Sequence, residues 1–385
     1  MKVHPTVRSK PRVVIIGAGV IGLAIAWRLS MRGVPVALFD QGAAGRGASH
    51  AAAGMLAAAM EAEPGEEALV ALGRASQALW PGFAADLEEL TGIDVGLRTE
   101  GTLVIATTAD ERARLLHHLA YQRKLGLAVE WINSAEARRR EPHLLPSLAG
   151  AIWSPHDHQV DNRQLVAALR EAARVAGVAI NEHQAVTKVT SRAGRANGVV
   201  LARGEKIAAD VIVLAAGAWS RSIAGLDGLQ PPVRPVKGQM LALQMNPALP
   251  LISHVVCAPG VYLVPRRDGR LLAGATVEER GFDTALTAGG ILALLEAAWR
   301  TVPAIEELPI CEMWVGHRPG SRDDAPILGR GPMEGLIYAT GHHRNGILLT
   351  PITADLIARI VLDDDLDPAM TPFSIGRFSI ARAAE

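Results

Sequence analysis

The chain has 385 residues; 39 Lys plus Arg balance 39 Asp plus Glu, and 49% of residues are hydrophobic. A neutral chain of this length buries a large core, and its charge argues against nucleic acid or an anionic membrane as partner. Two cysteines, Cys257 and Cys311, are too few for a disulfide framework or a zinc site, so a reducing, cytoplasmic setting is expected.

The first ten residues read as a loose polar extension. Residues 12–16 then predict a buried strand running into Gly17-Ala-Gly19-Val-Ile-Gly22. A helix follows over about 20–32, stopped by Gly33, and a strand over 34–39 ends at Asp40. This unit grips a dinucleotide: Gly17 permits the tight turn and Gly19 the approach of backbone to a pyrophosphate. Gly22 lets helix and strand pack, and Asp40 accepts from ribose hydroxyls. The apolar stretch 13–26 holds three glycines and is too short for a membrane span.

Residues 42–60 are rich in Gly, Ala and Ser, with almost no large side chain before Met55. Two readings stay open here: an alanine-rich helix, or backbone kept bare to lie against a flat ligand. Further helices are predicted over 66–91, 110–125 with Asp110 near the N-cap, 161–176 and 289–301. Strands are predicted over 98–106, 178–182 and 209–215, and antiparallel hairpins over 233–277, with a turn at Arg267-Asp268-Gly269. A last buried strand spans 336–340, followed by Gly341 and a helix to about 362 with Pro351 early in it.

Strands of parallel type are thus scattered, with antiparallel ones between them. The expected fold is α/β: a Rossmann-like doubly wound domain (11–90, 150–228 and 318–385) interleaved with an antiparallel-sheet substrate domain (91–149 and 229–317).

The strand ending in Ala215-Ala216-Gly217 suits the adenine side of a dinucleotide, and the 341–348 segment suits a flavin. A helix N-terminus there offers positive partial charge to the ring's pyrimidine edge. The histidines at 117–118, 156, 158 and 342–343 show no third or fourth ligand at zinc spacing, so no metal is expected.

Six segments, taken together, are more specific. They are Gly45-Arg-Gly-Ala-Ser-His-Ala-Ala-Ala-Gly-Met55, Pro235-Val-Lys-Gly-Gln239, Tyr262-Leu-Val-Pro-Arg266, Gly274-Ala-Thr276, Trp314-Val-Gly-His-Arg-Pro319 and residues 341–349. In these the chain resembles the FAD-dependent amine and amino-acid oxidases of the D-amino-acid oxidase superfamily, within it the bacterial glycine oxidase branch. The resemblance implies non-covalent FAD. Gly17, Gly19, Val20, Ile21, Gly22, Asp40, Gln41 and Arg46 would hold the ADP half, with Ala48 and Ser49 at the phosphates. Val186, Ala216, Gly217 and Trp219 would flank the adenine side. Ala53, Gly54, Met55, His342, His343, Arg344, Asn345, Gly346, Ile347 and Leu348 would line the isoalloxazine. Arg318, Tyr262 and Arg344 would handle the substrate carboxylate, with Met55 beside them.

Arg318 also has a physical argument of its own, since an amino acid in an apolar pocket needs a fixed bidentate cation. Some positions depart from the pattern: Asp40 replaces Glu, His343 replaces Tyr or Phe, Val277 replaces Met, and the 271–273 strand lacks the lysine of sarcosine oxidases. Cys311 falls ahead of that branch's covalent flavin attachment point.

The resemblance implies oxidation of glycine or another small amine by hydride transfer to flavin N5, with oxygen reduced to hydrogen peroxide. It further implies a homo-oligomer and an imine product able to feed thiazole synthase in thiamine biosynthesis. Two other readings stay open: a D-amino-acid, sarcosine or proline dehydrogenase using another acceptor, and a non-catalytic FAD-binding subunit.

Overall fold

The computed structural model describes residues 10–226 and 228–378; the expected extension lies, over residues 1–9, outside them. Val13–Ile16 is buried at all four positions, as a strand covered on both faces requires. It sits inside a six-stranded sheet ordered Ile327–Arg330, Leu336–Thr340, Val211–Leu214, Val13–Ile16, Val36–Phe39 and Ala179–Asn181. Its pairings are parallel except between the first two strands.

One face is covered by the helices Val20–Ser30, Glu67–Thr91, Asn162–Val175 and Thr350–Asp363, packed around Leu23, Trp27, Phe83, Leu169 and Ile357. The other carries a three-stranded antiparallel sheet, Val186–Arg192, Arg195–Leu201 and Lys206–Ala208. The architecture is the doubly wound α/β arrangement expected from the scattered strands.

An eight-stranded sheet forms the second layer system. Its order is Ile310–Gly320, Arg234–Gln244, Arg270–Gly274, Val261–Pro265, Val255–Ala258, Thr102–Ala106, Gly150–Ser154 and Glu130–Ile132. Only the Val255–Ala258 and Thr102–Ala106 pair is parallel. Helix Ala288–Thr301 buries Leu294 and Ala298 against this sheet. Gly150–Ser154 pairs here, antiparallel to Thr102–Ala106, although the expected boundary at 149/150 set it on the nucleotide side.

Two local expectations change. The helix at 110 begins with Ala109 and is capped by Thr108, whose hydroxyl accepts from the Glu111 N–H at 3.2 Å. The Glu111 carboxylate reaches back to the Thr108 N–H at 3.1 Å, so a reciprocal capping box overrides Asp110. Between 42 and 60 helix is confined to Ala48–Ala51, and Met55–Leu56 pairs with His158–Gln159. The helix ends at Ala52, whose backbone is extended at ψ 155°, and Gly54 follows at φ +73° against the Val160 carbonyl. The last helix runs Thr350–Asp363 with Pro351 in its first turn, as expected, and residues 341–349 form the turns that lead from the last strand into it.

Candidate active site

Two cavities lie along the carboxyl ends of the parallel strands, where open α/β sheets bind ligands. The smaller, of about 270 Å³, is walled by Gly17, Gly19, Asp40, Gln41, Arg46, Ala48, Ser49, Val186, Ala216, Gly217 and Trp219. Gly17 stands at φ +106°, and a Cβ there would collide with the Ala215 carbonyl. Gly22 lies outside the lining: a Cβ on it would overlap the Gly17 carbonyl, so it serves helix-on-turn packing. Asp40 accepts from the Ala18 N–H through one oxygen and the Gly42 N–H through the other, both at 2.8 Å. Both oxygens thus already shape the turn beside the trough. Ser49 Oγ accepts from the Val20 N–H at 3.0 Å, at the head of the first helix.

The larger cavity, of about 550 Å³, shares Gly19, Ala48, Ser49, Ala215 and Gly217 with the smaller. Its walls include Val20, Ile21, Ala53, Gly54, Met55, His342, His343, Arg344, Asn345, Gly346 and Ile347. Leu348 is in the core instead, its carbonyl accepting from Ser76 Oγ at 2.6 Å and Trp80 Nε1 at 2.9 Å. A glycine cradle at one end and a broader, largely apolar chamber at the other fit a long dinucleotide carrying a flat ring. FAD is such a group, and the side-chain-free cradle is the observation that admits it.

Arg318, Tyr262, Arg344 and Met55 meet in the wider chamber. Arg318 belongs to the Ile310–Gly320 strand opposite Val236, and its guanidinium crosses the neighbouring strand at Gly238. There its Nη1 donates to the Thr276 carbonyl at 3.2 Å. The Tyr262 hydroxyl lies 3.7 Å from Met240 Sδ; burial raises its pKa, and the adjacent Arg318 opposes that rise. Two cations and a phenol therefore face one largely apolar space, the donor set a carboxylate substrate needs.

The sequence assigned no role to Glu61, which lines the same chamber with Oε2 3.5 Å from Arg344 Nε. Burial raises its carboxyl pKa, and Arg344 and Arg318 counteract the rise. One signal was present: residues 47–60 hold no Asp, Glu, Lys or Arg, and Glu61 ends that run. Arg266 was likewise quoted without a role. It is buried, donating to the Ala53 carbonyl at 2.6 Å, Gln159 Oε1 at 2.7 Å and Asn162 Oδ1 at 3.1 Å. It braces the Ala53-Gly54-Met55 wall from behind, and burial lowers its pKa to about 10.

Burial also lowers His342 and His343 to about 3, so both imidazoles are neutral near pH 7. Cys257 faces the chamber with its thiol pushed up to about 12 by burial. Cys311 is absent from both linings and donates to the Ala242 carbonyl at 3.3 Å. Among the described residues no three His, Cys, Asp or Glu side chains are grouped to hold a metal ion, and no helix is long and apolar enough to cross a membrane.

The model of the family "FAD dependent oxidoreductase" matches residues 12–360. The chain is 40% identical to a glycine oxidase of Geobacillus kaustophilus, over 95% of this chain and 96% of that one. It is 40% identical to the bifunctional protein ThiO/ThiG of Synechocystis over 95% of its own length, but spans only 54% of that relative. The crystal structure of glycine oxidase from Geobacillus kaustophilus superposes with a TM-score of 0.90, covering 96% of this chain and 99% of the other. The chain belongs to the FAD-dependent oxidoreductase family, with FAD as its cofactor.

Proposed function

We propose that the protein is a glycine oxidase. It binds glycine or another small amino acid, converts the C–N bond to an imine that water hydrolyses to oxo acid and ammonia, and passes two electrons to oxygen as hydrogen peroxide. FAD, when bound, supplies the two-electron chemistry. The chain supplies orientation: Arg318 and Tyr262 hold the carboxylate, Met55 and the 53–55 backbone form the wall facing the ring, and Glu61 with Arg344 borders the chamber. Fixing one end of so small a substrate limits where its α-carbon can lie. The observation that carries this reading is the Arg318 guanidinium laid across Gly238 beside the Tyr262 phenol.

Residues 11–90, 155–226 and 318–378 act, in this reading, as the FAD-binding part, and 91–154 and 229–317 as the substrate part, with the boundary moved past the Gly150–Ser154 strand. A place in thiamine biosynthesis beside thiazole synthase is supported by the similarity to ThiO/ThiG. Homo-oligomeric assembly is supported by Ile310 and Met313, exposed on an edge strand, and a cytoplasmic setting by two unpaired cysteines.

The test is anaerobic mixing of the FAD-loaded protein with glycine, sarcosine, D-alanine, proline and D-proline, followed by bleaching of the flavin absorbance. Glycine should bleach it, and air should restore it with peroxide released. Bleaching that only a dye or quinone reverses identifies a dehydrogenase. A flavin that no amine bleaches identifies a non-catalytic subunit.

A further inference from the structure

Successive residues of a strand face opposite sides, and residues 237–240 divide their work accordingly. Gly238 and Met240 line the chamber, while Lys237 and Gln239, both fully buried, hold the segment 275–287. Lys237 Nζ donates to Asp283 Oδ2 at 2.6 Å and to the Ala285 carbonyl at 2.7 Å, with Glu278 Oε2 at 3.6 Å. Its main chain exchanges two hydrogen bonds of 2.9 Å with Glu278. Gln239 donates to Glu278 Oε1 at 2.8 Å and Thr287 Oγ1 at 2.9 Å.

The segment so fastened reaches both ends of the site. Its Thr276 carbonyl accepts from Arg318, and its Phe282 ring stacks on Trp219, centroids 5.0 Å apart at 19°. Trp219 walls the nucleotide cavity, and His317 is within 2.9 Å of the Asp283 carbonyl.

We propose that Lys237 is a positioning residue for two events at once: it fastens the 275–287 strap, which sets the Arg318 guanidinium for the substrate carboxylate and closes Phe282 over the wall of the FAD trough. Lys237 touches neither substrate nor cofactor. It acts because a buried ammonium holding Asp283 and the Ala285 carbonyl fixes the strap's path, and removing it takes away the cation that Asp283 contacts at 2.6 Å while Glu278 keeps Arg280 and Gln239. The substrate half rests on the glycine oxidase reading; the cofactor half does not.

The test is Lys237→Met, which keeps the stem and removes the charge, read out two ways. Glycine KM should rise about tenfold with kcat nearly unchanged, because the lost contact acts on carboxylate binding. FAD release on dilution, followed by the gain of flavin fluorescence, should become several-fold faster. A variant with lowered thermal stability but parental KM and parental FAD release overturns the proposal, as does a change in only one of the two. If Lys237→Met yields no soluble protein, Asp283→Asn decides by the same two readouts. If the parent protein does not oxidise glycine, the function reading fails, and FAD release alone decides for or against Lys237.

Discussion

Gly238 lies directly beneath the Arg318 guanidinium: a Cβ at this position would stand 2.5 Å from Nη1 and 2.9 Å from Nη2. The bare backbone is what lets Arg318 cross from its own strand to the Thr276 carbonyl on the far side. Gly238→Ala should therefore lift the guanidinium while leaving the FAD trough untouched. Misplacing a substrate-holding group by about 1 Å costs on the order of a hundredfold, so kcat/KM for glycine should fall by about that factor at unchanged flavin content. A parental kcat/KM would show that the arginine has another route into the chamber.

Removing the cation tests the clamp itself. Arg318→Leu should retain FAD and fold while losing about 2–5 kcal/mol of glycine recognition, the cost of truncating one partner of a buried charge pair. Arg318→Lys should recover only part of this, because a point charge replaces a planar fork. Steady-state glycine kinetics on FAD-replete protein checks both. Normal glycine oxidation by the Leu variant would remove Arg318 from the mechanism.

What the sequence made legible is what local stereochemistry compels. Gly17 was readable because it opens a Gly-x-Gly-x-x-Gly turn between strand and helix and stands at φ +106°, which side chains rarely adopt, and the apolar 13–16 and 211–214 strands because both their faces are covered. Gly54 was readable only through resemblance, since its constraint comes from Val160, a residue far along the chain. Asp40 was expected on a ribose, and the structure commits both its oxygens to backbone N–H groups. Glu61, Lys237 and Arg266 received no role because their partners, Arg344, Asp283 and Ala53, leave no periodicity in any window. The start of the last helix was readable through Pro351, whose missing N–H costs little in a first turn; the long-range capture of the Leu348 carbonyl by Ser76 and Trp80 just before it was not.

Arg266 makes a stability prediction. It is 5% exposed and its guanidinium serves Ala53, Gln159 and Asn162. Arg266→Met keeps much of the volume but strands those acceptors and leaves Asp161, 3.9 Å from Nε, without one of its cations. Arg270 still pairs with Asp161 at 2.7 Å, so the loss should fall at about 3 kcal/mol, the lower end of the range for breaking a buried pair. FAD affinity should weaken as well, since the 53–55 wall loses its brace. Urea unfolding of the apoprotein separates the two effects: an unchanged midpoint would show that Arg266 is dispensable to the fold.

The histidine pair predicts how stability changes with pH. His343 is held near 3 by burial, with the Arg344, Arg318 and Arg234 charges adding to the effect; His342 is held near 3 by burial alone. In the unfolded chain both titrate near 6.5. Between these values the unfolded chain binds more protons than the folded one, so their contribution to stability is complete above about pH 6.5. It declines as pH falls toward 3, at up to about 1.4 kcal/mol per pH unit for each histidine. His343 stands at φ +44°, a conformation asparagine tolerates, so His343→Asn removes one titrating group without adding backbone strain. Urea midpoints at pH 7.5 and 5.0 should fall less on acidification in His343→Asn than in the parent. The buried carboxyls of Glu61 and Asp157, raised by desolvation, titrate equally in both proteins and cancel in the comparison. Equal declines in the two proteins would mean that His343 is not held neutral by the fold.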